Sequence, residues 1–262
     1  MKNLKKISLR ATALFIAISS IFSLSISAKE TSYSWSIKRN GCLQPIFPKD
    51  LSAVEEYSAF YIDKKHTDNT EEKVLYLTFD AGYENGNVEK ILNVMKEKGV
   101  CSAFFVLDHL IIKNPELIKR MKSEGHLVCN HTKRHKDLSF SSDEEIKDDL
   151  SALEEICKKH AGFELDKYFR FPEGKYSLSA LKAVESLGYK TVFWSFAYED
   201  WDNKKQPTKE AAIKKILENT HNGEVVLLHP TSDTNAAILG EVIDKWKALG
   251  YRFGTLDELT KK

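Results

Sequence analysis

From Val74 onward the chain repeats one pattern: a short apolar run, a polar loop, a helix-length stretch with apolar residues every three or four positions, then a glycine and the next apolar run. The apolar runs predict strands at 74–79, 101–107, 127–130, 168–170, 191–195, 225–229 and 251–253. Several lack polar alternation, as strands buried on both faces do. The helical period predicts helices over 88–98, 115–124, 143–161, 178–187, 207–219 and 235–249. Their ends read EKGV, SEGH, HAGF, SLGY, HNGE and ALGY, with Gly99, Gly125, Gly162, Gly188, Gly223 and Gly250 where a chain leaving a helix often needs positive φ. Ser142 and Glu145 form a capping box, and Pro207 suits the first turn of its helix. Strands alternating with helices define an α/β fold with a parallel sheet, open or closed into a barrel.

The N-terminal part breaks this pattern. Residues 1–28 run from a basic start (Lys2, Lys5, Lys6, Arg10) through an apolar stretch, Ala11 to Ile26, to small residues at Ser27 and Ala28. That order is a secretory signal peptide, cleaved after 27 or 28; the alternative is a retained anchor, for which the serine-diluted stretch is short. Residues 29–69 hold Trp35, Pro45, Pro48 and a helix-like run, 51–59, and are expected to pack on the main domain as an extension; the domain itself covers 70–262.

Charge then sharpens the picture. Over 262 residues, 39 Lys+Arg stand against 38 Asp+Glu, a formal +1. Without the four basic residues of the leader the balance is 35 against 38, or −3. Nucleic acid binding through bulk charge is excluded, and membrane association is expected only through the leader. A hydrophobic content of 42% suffices for a packed core. Of the cysteines, Cys101 and Cys129 lie in apolar runs and are expected as buried free thiols. No CxxC occurs, which argues against structural zinc; Cys42 and Cys157 stay unassigned.

The candidate chemistry stands at the C-terminal ends of the strands, where parallel α/β folds build their sites. Asp80 follows the first strand in LTFDAGYENG; His131 and His135 follow the third in NHTKRH; Arg170 ends the fourth in RFPEG. The fifth leads through WSFAYEDW to Asp200 and Trp201, and the sixth ends at His229 in VVLLHP. One rim thus collects acids, bases and an arginine.

TFDAGYENG, HTKRH, RFPEG, the DW of EDW and LLHP resemble, in order, the motifs of the polysaccharide deacetylases (NodB homology, carbohydrate esterase family 4) across about residues 70–262. YENG, WSFAYEDW and the leading WSIKRNGCLQP resemble the delta-lactam-biosynthetic (muramic acid) de-N-acetylases of spore-forming bacteria more closely, over nearly all of 33–262. The resemblance implies a distorted parallel (β/α) barrel of about seven strands. It implies Asp80 as general base, His229 as general acid, Asp200 orienting His229, and Arg170 fixing Asp80. His131 and His135 would hold a divalent metal ion such as zinc, and Leu227 and Trp201 would wall the acetyl group. Glu173, inside RFPEG, falls where a basic or aromatic substrate contact is expected. The chain departs from the family at Ala81 and Ala197, where most members carry Asp; the first is a metal ligand, so the ion is expected to be weakly held.

The implied substrate is the N-acetylmuramic acid of peptidoglycan glycan strands. The enzyme would act as an exported monomer in the cell wall or forespore intermembrane space, after a muramoyl-alanine amidase, in forming the muramic-delta-lactam of the spore cortex. Whether it also closes the lactam ring stays open. Alternatives are deacetylation of peptidoglycan GlcNAc, chitin oligomers or acetyl xylan, and a non-catalytic glycan-binding pseudo-enzyme.

Overall fold

The computed structural model describes residues 31–47 and 49–261, within one compact unit, Thr31–Lys262. The expected signal segment lies outside the described residues. Three short strands open the chain: β1 (Tyr33–Ser34), β2 (Lys38–Asn40) and β3 (Leu43–Ile46). A 3-10 turn, Lys49–Glu56, follows, so the helix-like run is tighter and shorter than expected and gives way to β4 (Ala59–Phe60). The repeating part comprises β5 (Lys73–Ala81), α1 (Val88–Lys98), β6 (Ala103–Val106), α2 (Asp108–Lys113), α3 (Pro115–Ser123), β7 (Leu127–Asn130), α4 (Asp143–Ala161) and β8 (Asp166–Phe169). It continues through β9 (Lys175–Tyr176), α5 (Leu178–Ser186), β10 (Lys190–Val192), α6 (Lys209–Leu217), β11 (Glu224–Leu228), α7 (Asp233–Ala248), β12 (Tyr251–Phe253) and α8 (Leu256–Leu259).

The main sheet runs β11-β5-β6-β7-β8-β10-β4, with β12 also paired to the start of β5, and its pairings are parallel. Past β10 the chain continues irregularly beside β11: Ser195 N–H donates to Val225 O at 3.0 Å and Leu227 N–H to Phe196 O at 2.9 Å. This segment closes the sheet into a distorted barrel. Side chains alternate across the pleat. Val74, Tyr76, Phe105, Cys129, Val192 and Val225 share the inner cluster, while Leu75, Leu77, Phe79, Phe104, Val226 and Leu228 pack against the helices. Each such fully buried large side chain contributes about 1.5–3 kcal/mol. Thr78 and Asp80 fall in the inner register of Val74 and Tyr76.

Local signals explain the element ends. The Ser142–Glu145 capping box closes reciprocally at the start of α4. Gly99 and Gly162 terminate α1 and α4 in the left-handed conformation. Two expectations need correction. Pro207 precedes the N-cap, Thr208, whose side chain accepts from Ala211 N–H; a hydroxyl cap is available there and proline lies outside the helix. Cys101 is exposed, because it precedes β6 rather than lying in it; Cys129 and Cys157 are buried free thiols.

The N-terminal segment braces the barrel. Trp35 N–H donates to Gly174 O and its Nε1 to Trp194 O, both at 2.8 Å, and its ring stacks on Phe193 at 4.4 Å. At Gly174 (φ 66°) a Cβ would lie 2.7 Å from Trp35 Cβ and 2.8 Å from Trp194 Cη2, so only glycine permits this contact. Among the described residues no helix is long and apolar enough to cross a membrane.

Candidate active site

Asp80 stands near the end of β5, one residue before Ala81, with its side chain only 10% exposed. Arg170 follows β8 and is fully buried, its guanidinium 4.1 Å above the Phe105 ring centroid. Its donors are shared out: Nη1 to Asp80 Oδ1 at 2.8 Å, Nη2 to Thr78 Oγ1 at 2.9 Å, and Nε to Val192 O at 2.9 Å. Thr78 is held in turn, donating to Val226 O at 2.6 Å. Four strands thus aim one carboxylate, and a buried charge that lost this partner would be uncompensated.

The loop after β7 is shaped by Asn130, whose Oδ1 accepts from Thr132 N–H at 2.9 Å while its Nδ2 donates to Leu150 O and to Tyr189 Oη. His131 Nδ1 lies 2.9 Å from Arg170 O; with Nδ1–H donating to that carbonyl, Nε2 is left as a lone pair, 3.4 Å from Asp80 Oδ2. The His135 ring meets His131 edge-on at 5.1 Å between centroids. Among the described residues the non-glycine positive-φ positions are Thr132 and His135, in the loop after β7, and Glu173, in the 3-10 turn Pro172–Gly174 that follows Arg170. Strained backbone gathering there is the pattern of a functional site.

Across the rim, His229 follows β11. Its Nδ1 lies 2.7 Å from Asp200 Oδ1, and its backbone N–H donates to Asp200 Oδ2 at 2.8 Å. Asp200 is fully buried and also accepts from Asn235 Nδ2 at 2.6 Å; Asn235 is held by the Tyr198 hydroxyl. The Trp201 ring, 56% exposed, stands 6.0 Å from that of His229. Leu227 is buried under the rim. Glu173 is exposed and pairs with Lys175 Nζ at 2.8 Å.

Electrostatics separate the two sides. Burial works against the charge on Asp80, but it is outweighed by His131, cationic in the acid range where the two groups titrate together, and by Arg170 and His229, which hold the carboxyl below its ordinary pKa. Burial brings His131 down to about 4, so this imidazole is neutral near pH 7 and Arg170 is the standing counter-charge of Asp80. His229 moves the other way: burial disfavours its cation, yet Asp200, with help from Asp80, raises its pKa. The two groups are thus shifted in opposite directions, Asp80 toward its carboxylate and His229 toward its cation.

No group of three or more His, Cys, Asp or Glu side chains among the described residues is arranged to hold a metal ion. The donors on offer are the two imidazoles of His131 and His135; Asp80 is engaged by Arg170, and Ala81 is buried and has no oxygen. This set fits an open, weakly held ion completed by water or substrate, not a closed three-ligand site.

Asn235, Tyr198, Thr78 and Asn130 were not picked out from the sequence. Thr78 could have been, since it shares the inner register of Asp80 two residues on. Nothing in the local sequence marks Asn235 as a partner of Asp200.

A parallel barrel with an aspartate and a histidine, each held by a buried partner, on one rim is the architecture of a hydrolase of the polysaccharide deacetylase type. The chain belongs to that family, the carbohydrate esterases of family 4. The model of the family described as "Polysaccharide deacetylase" matches residues 67–192. The chain is 41% identical over 228 residues to the peptidoglycan-N-acetylmuramic acid deacetylase PdaA of Bacillus subtilis, covering 86% of this chain and 85% of that one. The solved structure of Bacillus subtilis PdaA, a family 4 carbohydrate esterase, superposes with a TM-score of 0.81 at 40% identity, covering 87% of this chain and 96% of that one. A peptidoglycan-N-acetylglucosamine deacetylase of Bacillus cereus is 31% identical over 195 residues, 72% of this chain and 89% of that protein.

Proposed function

We propose that this protein is an exported peptidoglycan deacetylase that hydrolyses the acetamide of N-acetylmuramic acid in the formation of muramic-delta-lactam. The observation that carries the reading is the pair on one rim, Asp80 bound by Arg170 and His229 bound by Asp200, in a chain so similar to a muramic acid deacetylase.

In this reading Asp80 takes a proton from the attacking water as its oxygen bonds to the acetamide carbon. His229 gives its Nε2 proton to the nitrogen as the C–N bond breaks, releasing acetate and the free amine. Acid and base of this kind typically contribute about 10²–10⁴-fold each. Arg170 keeps Asp80 charged and aimed. Asp200 fixes the His229 tautomer through Nδ1 and stabilises its cation. Trp201 and Leu227 wall the acetyl methyl. A divalent ion held by His131 and His135 would, when bound, polarise the acetamide carbonyl and the water. Retention of both acid and base with their buried partners supports catalysis over glycan binding alone. Export through the leader follows from the substrate, which lies outside the cytoplasm.

The test is mass spectrometry of peptidoglycan treated with the purified protein, with and without an amidase that first strips the stem peptides. Acetate loss from muramic residues only after stripping supports the reading. Loss from glucosamine residues instead would favour a second reading, N-acetylglucosamine deacetylation, for which the Bacillus cereus relative speaks.

A further inference from the structure

Beside the catalytic rim lies a depression of about 440 Å³ lined by Leu107, Asp108, His109, Ile112, Lys113 and Arg134. It adjoins the reacting groups through the backbone. Leu107 N–H donates to Ala81 O at 3.3 Å, and a Cβ on Gly82 would sit 3.0 Å from Leu107 Cδ1. Its other wall is the loop carrying His131 and His135, tied down where Asp108 N–H donates to Lys133 O at 3.0 Å.

Arg134 is held there in a particular way. Its Nε donates to Asp108 Oδ2 at 3.1 Å, while its side chain is 77% exposed. Asp108 itself is 7% exposed, so the anchor is part of the fold and the guanidinium is the part presented. Neither terminal nitrogen of Arg134 has another partner among the described residues. A guanidinium fixed at Nε with both Nη groups open is preorganised to grip a carboxylate with two parallel hydrogen bonds. Lys113 adds a second cation, so one positive charge remains after Asp108 is counted, which matches a monoanion. Leu107 and Ile112, the latter 39% exposed, supply an apolar floor.

We propose that Arg134, positioned by Asp108, binds the lactyl carboxylate of the muramic residue and is the specificity determinant that separates it from an uncharged N-acetylhexosamine. The lactyl group is a carboxylate and a methyl on one carbon; Arg134 and Lys113 meet the first, Leu107 and Ile112 the second. Glu173 does not oppose this, because Lys175 neutralises it. This assignment rests on the muramic reading above and names the feature of the substrate that the site recognises.

The test uses the full chain, as wild type, R134Q and R134K, on three preparations of glycan: peptide-stripped strands, the same strands with muramoyl carboxyls methyl-esterified, and strands with stem peptides intact. Acetate release gives kcat and KM, and calorimetry gives binding. On stripped strands R134Q is expected to lose about tenfold, the scale of a charge-assisted hydrogen-bonded pair, mainly in KM, with R134K recovering part of it. Esterification should cost the wild type a similar factor and cost R134Q nothing further. If the two losses multiply, or if R134Q lowers kcat equally on all strands, Arg134 has only a structural role and the proposal is overturned. An R134Q effect confined to peptide-bearing strands would assign the site to stem-peptide carboxylates and overturn the lactyl assignment. Failure of the muramic reading itself would be seen separately, as wild-type acetate release from glucosamine residues alone; calorimetry on free and esterified strands still decides whether Arg134 reads the carboxylate.

Discussion

The Asp80 carboxylate meets the buried Arg170 guanidinium at 2.8 Å, in a position where Arg170 has no water to fall back on. Replacing Asp80 with Asn removes the proposed base and strands that charge. Acetate release by D80N is expected to fall by about 10²–10⁴-fold. Stability should fall by about 3–5 kcal/mol, as when one partner of a buried ion pair is removed. Turnover assays and urea unfolding read the two effects separately; near-full turnover in a folded D80N protein would remove Asp80 from the mechanism.

The Asp200–His229 pair predicts a pH dependence with a definite sign. Asp200 raises the His229 pKa above 6.5, so the acid form persists as pH climbs and kcat declines only as pH passes through that raised value. In D200N the main support of the cation is lost, leaving burial and Arg170 opposed only by Asp80, so the alkaline limb should move to lower pH. The pH profile of kcat checks this, and an unmoved limb would assign it to another group. The same shift stabilises the fold below the unfolded pKa, a contribution lost as pH rises through the folded value.

The two imidazoles of His131 and His135 make metal dependence the next expectation to test. Exhaustive chelation is expected to suppress activity, and added zinc or a similar ion to restore it. A81D, which restores the carboxylate that the resemblance places at this position in most of the family, should tighten ion binding in calorimetry. Ala81 is fully buried, so the metal-free variant should melt at a lower temperature than wild type. Full activity in chelator, with no recovery on adding metal, would count against an ion in the reaction.

Glu224 offers a test remote from the chemistry. It lies in β11, fully buried in the helix-facing register of Val226 and Leu228, and its Oε1 has no partner. Burial raises its pKa well above 4.5, so the folded protein holds a proton that the unfolded chain releases. Stability from this group is therefore full below about pH 4.5 and is lost as pH rises toward the folded pKa. E224Q abolishes the linkage, and the melting temperature of the variant relative to wild type should increase with pH above 4.5. A difference constant from pH 4 to 8 would contradict the assignment.

Much of this molecule is legible before any coordinates. The seven apolar runs all appear as strands, and those such as β6 and β11 that are covered on both faces show it most plainly, because such a strand is apolar nearly throughout. The glycine joints and the Ser142 cap are equally local, and the six glycines all take positive φ. What local pattern could not reveal is of a different kind. Strand β4 is two residues long, and its place beside β10 comes from pairing across more than a hundred residues. The apolar run extends the fifth strand to residue 195, but β10 ends at Val192, and the irregular segment 193–196 beside β11 closes the barrel. Cys101 looked buried because its neighbours are apolar, but the strand begins two residues later.

The sequence by itself determined the order of the elements, the end of the barrel that carries reactive side chains, and the absence of a carboxylate at Ala81. Those properties depend on side-chain type and spacing along the chain. Only the tertiary structure decided which groups face each other. Arg170 is held by Thr78, Asp80 and the Val192 carbonyl, and Asp200 answers to both His229 and Asn235. Asp108 anchors Arg134 beside Leu107. The physical reason is that pKa and binding depend on distance and burial in space, and strands far apart in the chain become neighbours only when the barrel closes.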